Sequence, residues 1–252
     1  MTEAFFFGPE GEQIFATYHP PANYRATDQL TVICGPLLSE YMRTQLAVRE
    51  LSIALADTGH HVIRFDYRGT GDSQGSFRDM RAEDWFEDVA AAINEGIDIS
   101  GAVAVNVLGI RAGSLMAIRA AGRRGGIRKI VLWDPVVDGA DYVRSMRAIH
   151  SRVVARNRYM SKKDKGLALA EFDLRSGASD IYRDLDKLDV SSELANLAVQ
   201  PAVILTTNVP APMLDKACFL PVPFDCNWLT DSEDIMLPRP VLEKIRESLV
   251  MP

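Results

Sequence analysis

Gly109-Ile110-Arg111-Ala112-Gly113 is the stretch that most narrows what this chain can fold into. It follows the apolar run Val103-Ala104-Val105-Asn106-Val107-Leu108 and precedes the small-residue stretch Ser114-Leu115-Met116-Ala117-Ile118. The first reads as a buried strand and the second as the start of a helix, with glycines permitting a sharp turn between them. At the centre of the turn stands an arginine. It stays protonated at neutral pH and has no lone pair with which to attack a carbonyl.

The rest of the chain repeats the strand–helix alternation. Ala4–Phe7 and Gln13–His19, separated by Gly8-Pro9-Glu10-Gly11, read as an opening hairpin. Leu30–Cys34, His61–Phe65, Lys129–Trp133, Pro201–Thr206 and Val222–Cys226 read as further strands, and Arg43–Asp57, Trp85–Ile97 and Pro238–Leu249 as helices. Such alternation implies right-handed crossovers and a doubly wound, mostly parallel eight-stranded α/β sheet. Residues 139–198 break the rhythm. They are polar and helical in pattern and rich in arginine (Arg144, Arg147, Arg152, Arg156, Arg158). The expected organisation is a core of residues 1–138 and 199–252 with a small helical cap at 139–198; a set of ordinary connecting helices is the alternative.

Composition excludes several classes of function. A net charge of −6 is the wrong sign for a nucleic-acid partner. No apolar run reaches the length of a membrane span. The cysteines Cys34, Cys218 and Cys226 are odd in number, and the amino terminus lacks the pattern of a secretory leader, so a reduced, cytoplasmic protein is expected. Four scattered histidines give no metal-ligand spacing, and no cofactor motif is present, so no metal and no cofactor are expected.

Three blocks carry a family resemblance. Arg64-Phe65-Asp66-Tyr67-Arg68-Gly69-Thr70-Gly71-Asp72-Ser73 resembles the loop after the fourth strand of α/β-hydrolases. Pro36-Leu37-Leu38-Ser39-Glu40-Tyr41-Met42 resembles a Pro-x-x-x-Glu-x-Met segment of the second type of exosortase-associated hydrolase, and Gly109–Gly113 resembles that group's Gly-Leu-Arg-x-Gly turn. The resemblance implies the α/β-hydrolase fold, in which this turn is the nucleophile elbow, normally Gly-x-Ser-x-Gly. It also implies an oxyanion hole from the Ala112 amide and one amide of Leu37–Leu38, and a link to polysaccharide export or assembly.

The catalytic triad of that fold runs nucleophile, acid, histidine along the chain. Here Arg111 stands at the nucleophile's place, and no histidine follows His150. Asp134 follows the sixth strand but has no base to orient, and Asp215 lies late for an acid after the seventh. Replacement nucleophiles are weak: Ser39 has no evident base, Ser114 would face its own helix's first turn, and Cys34 reads as core. Cys226 sits where the base loop belongs but needs a lowered pKa to act. Asp66, Arg68 and Asp72 are expected to brace their turn.

Arg111 is then expected either to be neutralised internally, by Glu40 or Asp134, or to seat an external anion with the help of the helix N-terminus. Trp228 would fill the pocket or form a wall of it. These readings point to a pseudoenzyme, a binding or accessory protein with an arginine-lined, anion-binding pocket for a small anionic or acyl ligand, acting with a protein partner or as a homo-oligomer. The alternative is an esterase, thioesterase or acyltransferase using Cys226 or Ser39.

Overall fold

The computed structural model describes residues 2–22, 26–170, 180–209, 217–230 and 234–251. Its eight strands are β1 (Glu3–Phe7), β2 (Ile14–His19), β3 (Gln29–Cys34), β4 (His61–Phe65), β5 (Ala104–Ile110), β6 (Ile127–Trp133), β7 (Ala202–Thr206) and β8 (Cys218–Val222). They form one sheet in the order β1-β2-β4-β3-β5-β6-β7-β8. The β1–β2 and β2–β4 pairs are antiparallel and all other pairs parallel. The chain leaves β3 towards β4 and β5 towards β6, in opposite directions, so a crevice opens between the carboxyl ends of β3 and β5, where ligands of open α/β sheets bind.

Strand alternation sorts side chains into two buried layers. Val32, Cys34, Val107 and Leu132 pack with α2 (Ala82–Ser100) and α3 (Gly113–Arg124) on one face. Ile33, Leu108, Ile110, Val131 and Trp133 pack with α1 (Ser39–Asp57) and α8 (Arg239–Val250) on the other. Because both faces are covered, central strands read as nearly continuous apolar runs. Between β6 and β7 the structure describes α4 (Gly139–Arg156), α5 (Lys162–Ala170), α6 (Asp180–Asp186) and α7 (Ser191–Ala195). Tyr142, Val143, Met146, Ile181, Leu185 and Leu194 from these helices join the α2–α3 layer.

Two elements differ from the sequence reading. Helix α1 begins at Ser39 rather than Arg43, so Ser39 and Glu40 lie in its first turn. That turn buries Glu40, Arg43 and Thr44 instead of apolar side chains, so hydrophobic periodicity could not mark it. The last strand spans Cys218–Val222 rather than Val222–Cys226. It contains Pro221, which a sheet accepts on an edge strand because the missing N–H faces no neighbour.

Glycines of the elbow are needed for space rather than for positive φ. A Cβ on Gly113 would stand 2.2 Å from the Cys34 carbonyl oxygen, and one on Gly109 would stand 2.7 Å from Ser114 Cα. The left-handed conformation falls on Arg111 itself (φ 52°).

His19 and His60 are buried, and burial pushes both down from 6.5 to about 4. A histidine depressed in the folded state stabilises the fold above about 6.5, and that contribution is lost as pH falls towards 4. Asp88, pushed up to about 6 by burial, acts in the opposite sense. The difference between the protein and His60→Gln therefore isolates one histidine. Urea unfolding at pH 7 and pH 5 should show a shallower loss on acidification in His60→Gln, by up to about 1.4 kcal/mol per pH unit. Identical pH slopes would contradict the assignment.

Candidate functional site

At the carboxyl ends of the parallel strands, five non-glycine residues have positive φ: Leu38 (56°) after β3, Arg111 (52°) after β5, Asp134 (43°) after β6, Asn208 (66°) after β7 and Asn227 (44°) after β8. No other described non-glycine residue shares this conformation. Such strain persists only where the surroundings over-determine it, and it collects at binding and catalytic sites.

Arg111 is 9% exposed and Glu40 1%. The Arg111 Nε donates to Glu40 Oε1 at 3.0 Å, and Nη1 donates to the backbone carbonyl of Asp134 at 2.9 Å. Of the two carboxylates considered as partners, Glu40 alone makes the ion pair. It is held through one oxygen rather than as a two-pronged fork, because the Tyr142 hydroxyl of α4 stands 3.3 Å from Oε2 and 3.3 Å from the Leu37 carbonyl. Burial pushes the Glu40 carboxyl up, against the pull of Arg111. Burial also works against the Arg111 charge, but Glu40 outweighs it and the guanidinium is held protonated.

Asp134 is fully buried and its carboxylate points elsewhere. Its Oδ1 accepts the Thr206 N–H at 2.7 Å, and its Oδ2 accepts the Thr206 hydroxyl and the Trp228 indole N–H, each at 2.7 Å. The Trp228 ring in turn lies beneath Arg111, with the guanidinium carbon 5.1 Å from the ring centroid. Acid, aromatic ring and elbow residue are thus joined in one line. Sequence inspection placed Asp134, Trp228 and Arg111 near one another but not this connection.

Arg43, which the sequence reading passed over, holds the loop that carries Trp228. Its guanidinium donates to the carbonyls of Asn227 (3.0 Å), Cys226 (3.3 Å) and Asp234 (3.4 Å). Its only advance signal was its place one turn after Glu40. Tyr142 and Thr206 gave no sequence signal.

Cys226 is buried, and burial pushes its thiol up to about 12, so it is protonated at neutral pH. Ser39 is exposed on the first turn of α1 and makes no hydrogen bond to a base among the described residues. Ser114 is packed against β5, its Oγ buried without a hydrogen-bond partner among the described residues rather than turned to the helix carbonyls. His19, His60 and His61 lie at the edge opposite the elbow, where His19 contacts the Thr2 hydroxyl and accepts from Arg64 Nε, each at 3.3 Å. His61 contacts the Tyr18 hydroxyl at 2.5 Å and His60 the Thr31 hydroxyl at 3.1 Å; His150 Nε2 contacts the Ala168 carbonyl at 2.8 Å. Ala112 is fully buried at the head of α3, beside buried Leu37 and half-buried Leu38 across the crevice. Asp215 lies outside the described residues. Asp66 braces its turn, accepting from Tyr41 Oη (2.6 Å) and the Asp72 N–H (3.0 Å), while Arg68 pairs with Asp88 and Glu12. Among the described residues no cluster of His, Cys, Asp or Glu could hold a metal ion, and no helix is long and apolar enough to cross a membrane.

The guanidinium's Nη2 makes no hydrogen bond among the described residues. Arg111 and Trp228 border a cavity of about 210 Å³ whose rim includes Asn208, Asp225, Asn227 and Leu229.

Replacing Trp228 with Phe keeps a ring beneath Arg111 but removes the donor to Asp134. A hydrogen bond to a charged group contributes about 1.5–3 kcal/mol. Trp228→Phe should lose that much in urea unfolding; a loss below about 0.5 kcal/mol would show that Asp134 does not depend on the indole.

No curated protein matches the chain. Among solved structures, Est1E from Butyrivibrio proteoclasticus, with ferulic acid bound, superimposes with a TM-score of 0.64 at 17% identity, covering 98% of this chain and 100% of that one. The thioesterase domain from the curacin biosynthetic pathway gives 0.60 at 14% identity and full coverage of both chains. Proline iminopeptidase from Mycobacterium smegmatis gives 0.60 at 15% identity, covering 98% and 96%. Likeness at these identities establishes a common α/β-hydrolase fold. The family model for serine aminopeptidase, S33, matches residues 40–187, which include Glu40, the elbow and Asp134. With more than half its length matched and the elbow, sheet order and strained strand ends all in place, this chain belongs to the serine aminopeptidase S33 family of α/β hydrolases.

Proposed function

We propose that this chain is a non-hydrolytic member of its family, a binding or accessory protein in which arginine and tryptophan stand where the nucleophile and base would stand. The observation that carries this reading is the line Asp134–Trp228–Arg111. In a working triad the acid accepts a hydrogen bond from one imidazole N–H while the other nitrogen accepts the nucleophile's proton. An indole has one nitrogen, a donor only, and here it is committed to Asp134. The ring offers Arg111 a π face, which attracts a cation but accepts no proton. The site therefore has neither a nucleophile at the elbow nor a base for Asp134 to orient.

What remains is a preorganised cavity with one open guanidinium edge and an aromatic wall. Its ligand is a small anionic or acyl group reaching Nη2, with α4 of the helical insertion as a cap on one side, where Arg152 donates to the Leu229 carbonyl at 3.1 Å. The Pro36–Met42 and Gly109–Gly113 motifs support a place in extracellular-polymer assembly. A second reading, an esterase or thioesterase, is favoured by family membership. It requires Ser39 or Cys226 to act with a base from outside the described site.

Fluorophosphonate and thiol-directed probes separate the two. The native protein should show no saturable labelling by intact-mass spectrometry and no hydrolysis of short acyl esters above background. Combining Arg111→Ser, Trp228→His and Glu40→Gln should create labelling at position 111, because Asp134 already sits where an imidazole could be oriented. Saturable labelling of native Ser39 or Cys226 would overturn the proposal.

A further inference from the structure

A second cavity lies away from the elbow. It measures about 390 Å³, within the range of about 300–1,000 Å³ usual for small-ligand sites, and shares no lining residue with the Arg111 cavity. Its floor is the β2–β4 region, and α1 forms one wall. Strand register places Thr17 opposite Arg64, so the Arg64 side chain rises from β4 on the same face as Thr17 and Phe15. An arginine in the interior of a sheet normally needs a carboxylate. Arg64 has none within ion-pairing distance among the described residues.

Among the described residues the one hydrogen bond of the Arg64 side chain runs from Nε to His19 Nε2 at 3.3 Å. His19 is neutral at pH 7, held so by burial, and adds no negative charge. Asp66, two residues on, lines the cavity but spends its oxygens on the Tyr41 hydroxyl and the Asp72 N–H. Both Nη groups of Arg64 thus have no partner among the described residues, in a half-buried position. Across the same cavity Asp72 is exposed, and its carboxylate makes no hydrogen bond among the described residues. Between them, Phe15, Ile33 and Val48 supply an apolar surface.

From this arrangement we infer that the cavity is a binding site for a zwitterionic α-amino acid with an apolar side chain. Its carboxylate would lie on the Arg64 fork, which fits a carboxylate bidentately. Its ammonium would face Asp72, and its side chain would cover Phe15, Ile33 and Val48. Charge balance favours a zwitterion over a plain carboxylate. Arg64, Asp66 and Asp72 together carry a net negative charge, which repels an added anion and is unchanged by a ligand of no net charge. The site is independent of whether the elbow is catalytic.

Calorimetric titration of the full chain with L-leucine and L-phenylalanine tests the assignment. Each should bind saturably, while 4-methylvalerate (no amine) and isoamylamine (no carboxylate) should bind at least about tenfold more weakly. Arg64→Gln and Asp72→Asn should each weaken amino-acid binding by a similar factor. Asp72 is exposed with a free side chain, so Asp72→Asn should fold normally and decides the matter even if Arg64→Gln does not fold. Absence of saturable binding by both amino acids would overturn the proposal. So would equal binding of 4-methylvalerate, or undiminished binding by a folded Asp72→Asn variant.

Discussion

The buried ion pair between Arg111 and Glu40 is the contact on which the carboxyl edge of the sheet depends. A guanidinium at 9% exposure, forced to φ 52° at the end of a central strand, has lost most of its water. Leaving such a charge unpaired costs about 3–5 kcal/mol, so the position of Glu40 is as constrained as that of Arg111. Glu40 reaches it because α1 starts immediately after the strained Leu38 rather than a turn later. Tyr142 then borders the second carboxylate oxygen, tying α4 to the same pair. One charge at the elbow thereby fixes the entry of α1 and the seat of the first helix beyond β6.

A second set of constraints runs through Asp134. Its carboxylate joins β7, through Thr206, to the loop after β8, through Trp228, while its carbonyl takes the other end of the Arg111 guanidinium. Arg43 closes the circuit by holding the carbonyls of that same loop from α1. Three of the five left-handed residues, Arg111, Asp134 and Asn227, are tied into this network. The sharp turn of the elbow holds with arginine at its centre. Gly109 and Gly113 have no room for a Cβ.

Much of this was legible in the residues alone. Apolar runs bounded by turn residues marked the strands, since burial on both faces leaves little else they could be. The Gly-x-Arg-x-Gly turn, Glu40 and Asp134 could be marked as a group from their order along the chain. Other features escaped for definite reasons. The first turn of α1 buries Glu40, Arg43 and Thr44, which defeats a search for apolar periodicity. The edge strand Cys218–Val222 carries a proline that argues against a strand unless its edge position is known. The Asp134–Trp228 hydrogen bond spans 94 residues, and an indole donating to a carboxylate matches no motif. Tyr142 contributes from a helix whose packing, not its sequence, aims it at Glu40.

A double-mutant cycle tests most directly whether the Arg111–Glu40 pair governs the site. Arg111→Met and Glu40→Leu each strand a buried charge, so each alone should lose about 3–5 kcal/mol in denaturant unfolding. The double variant, with no buried charge left at the pair, should be more stable than the sum of the two losses allows, by about 2 kcal/mol or more. Losses that add to within about 0.5 kcal/mol would mean that the two side chains act independently, and the pair would not be what holds the elbow.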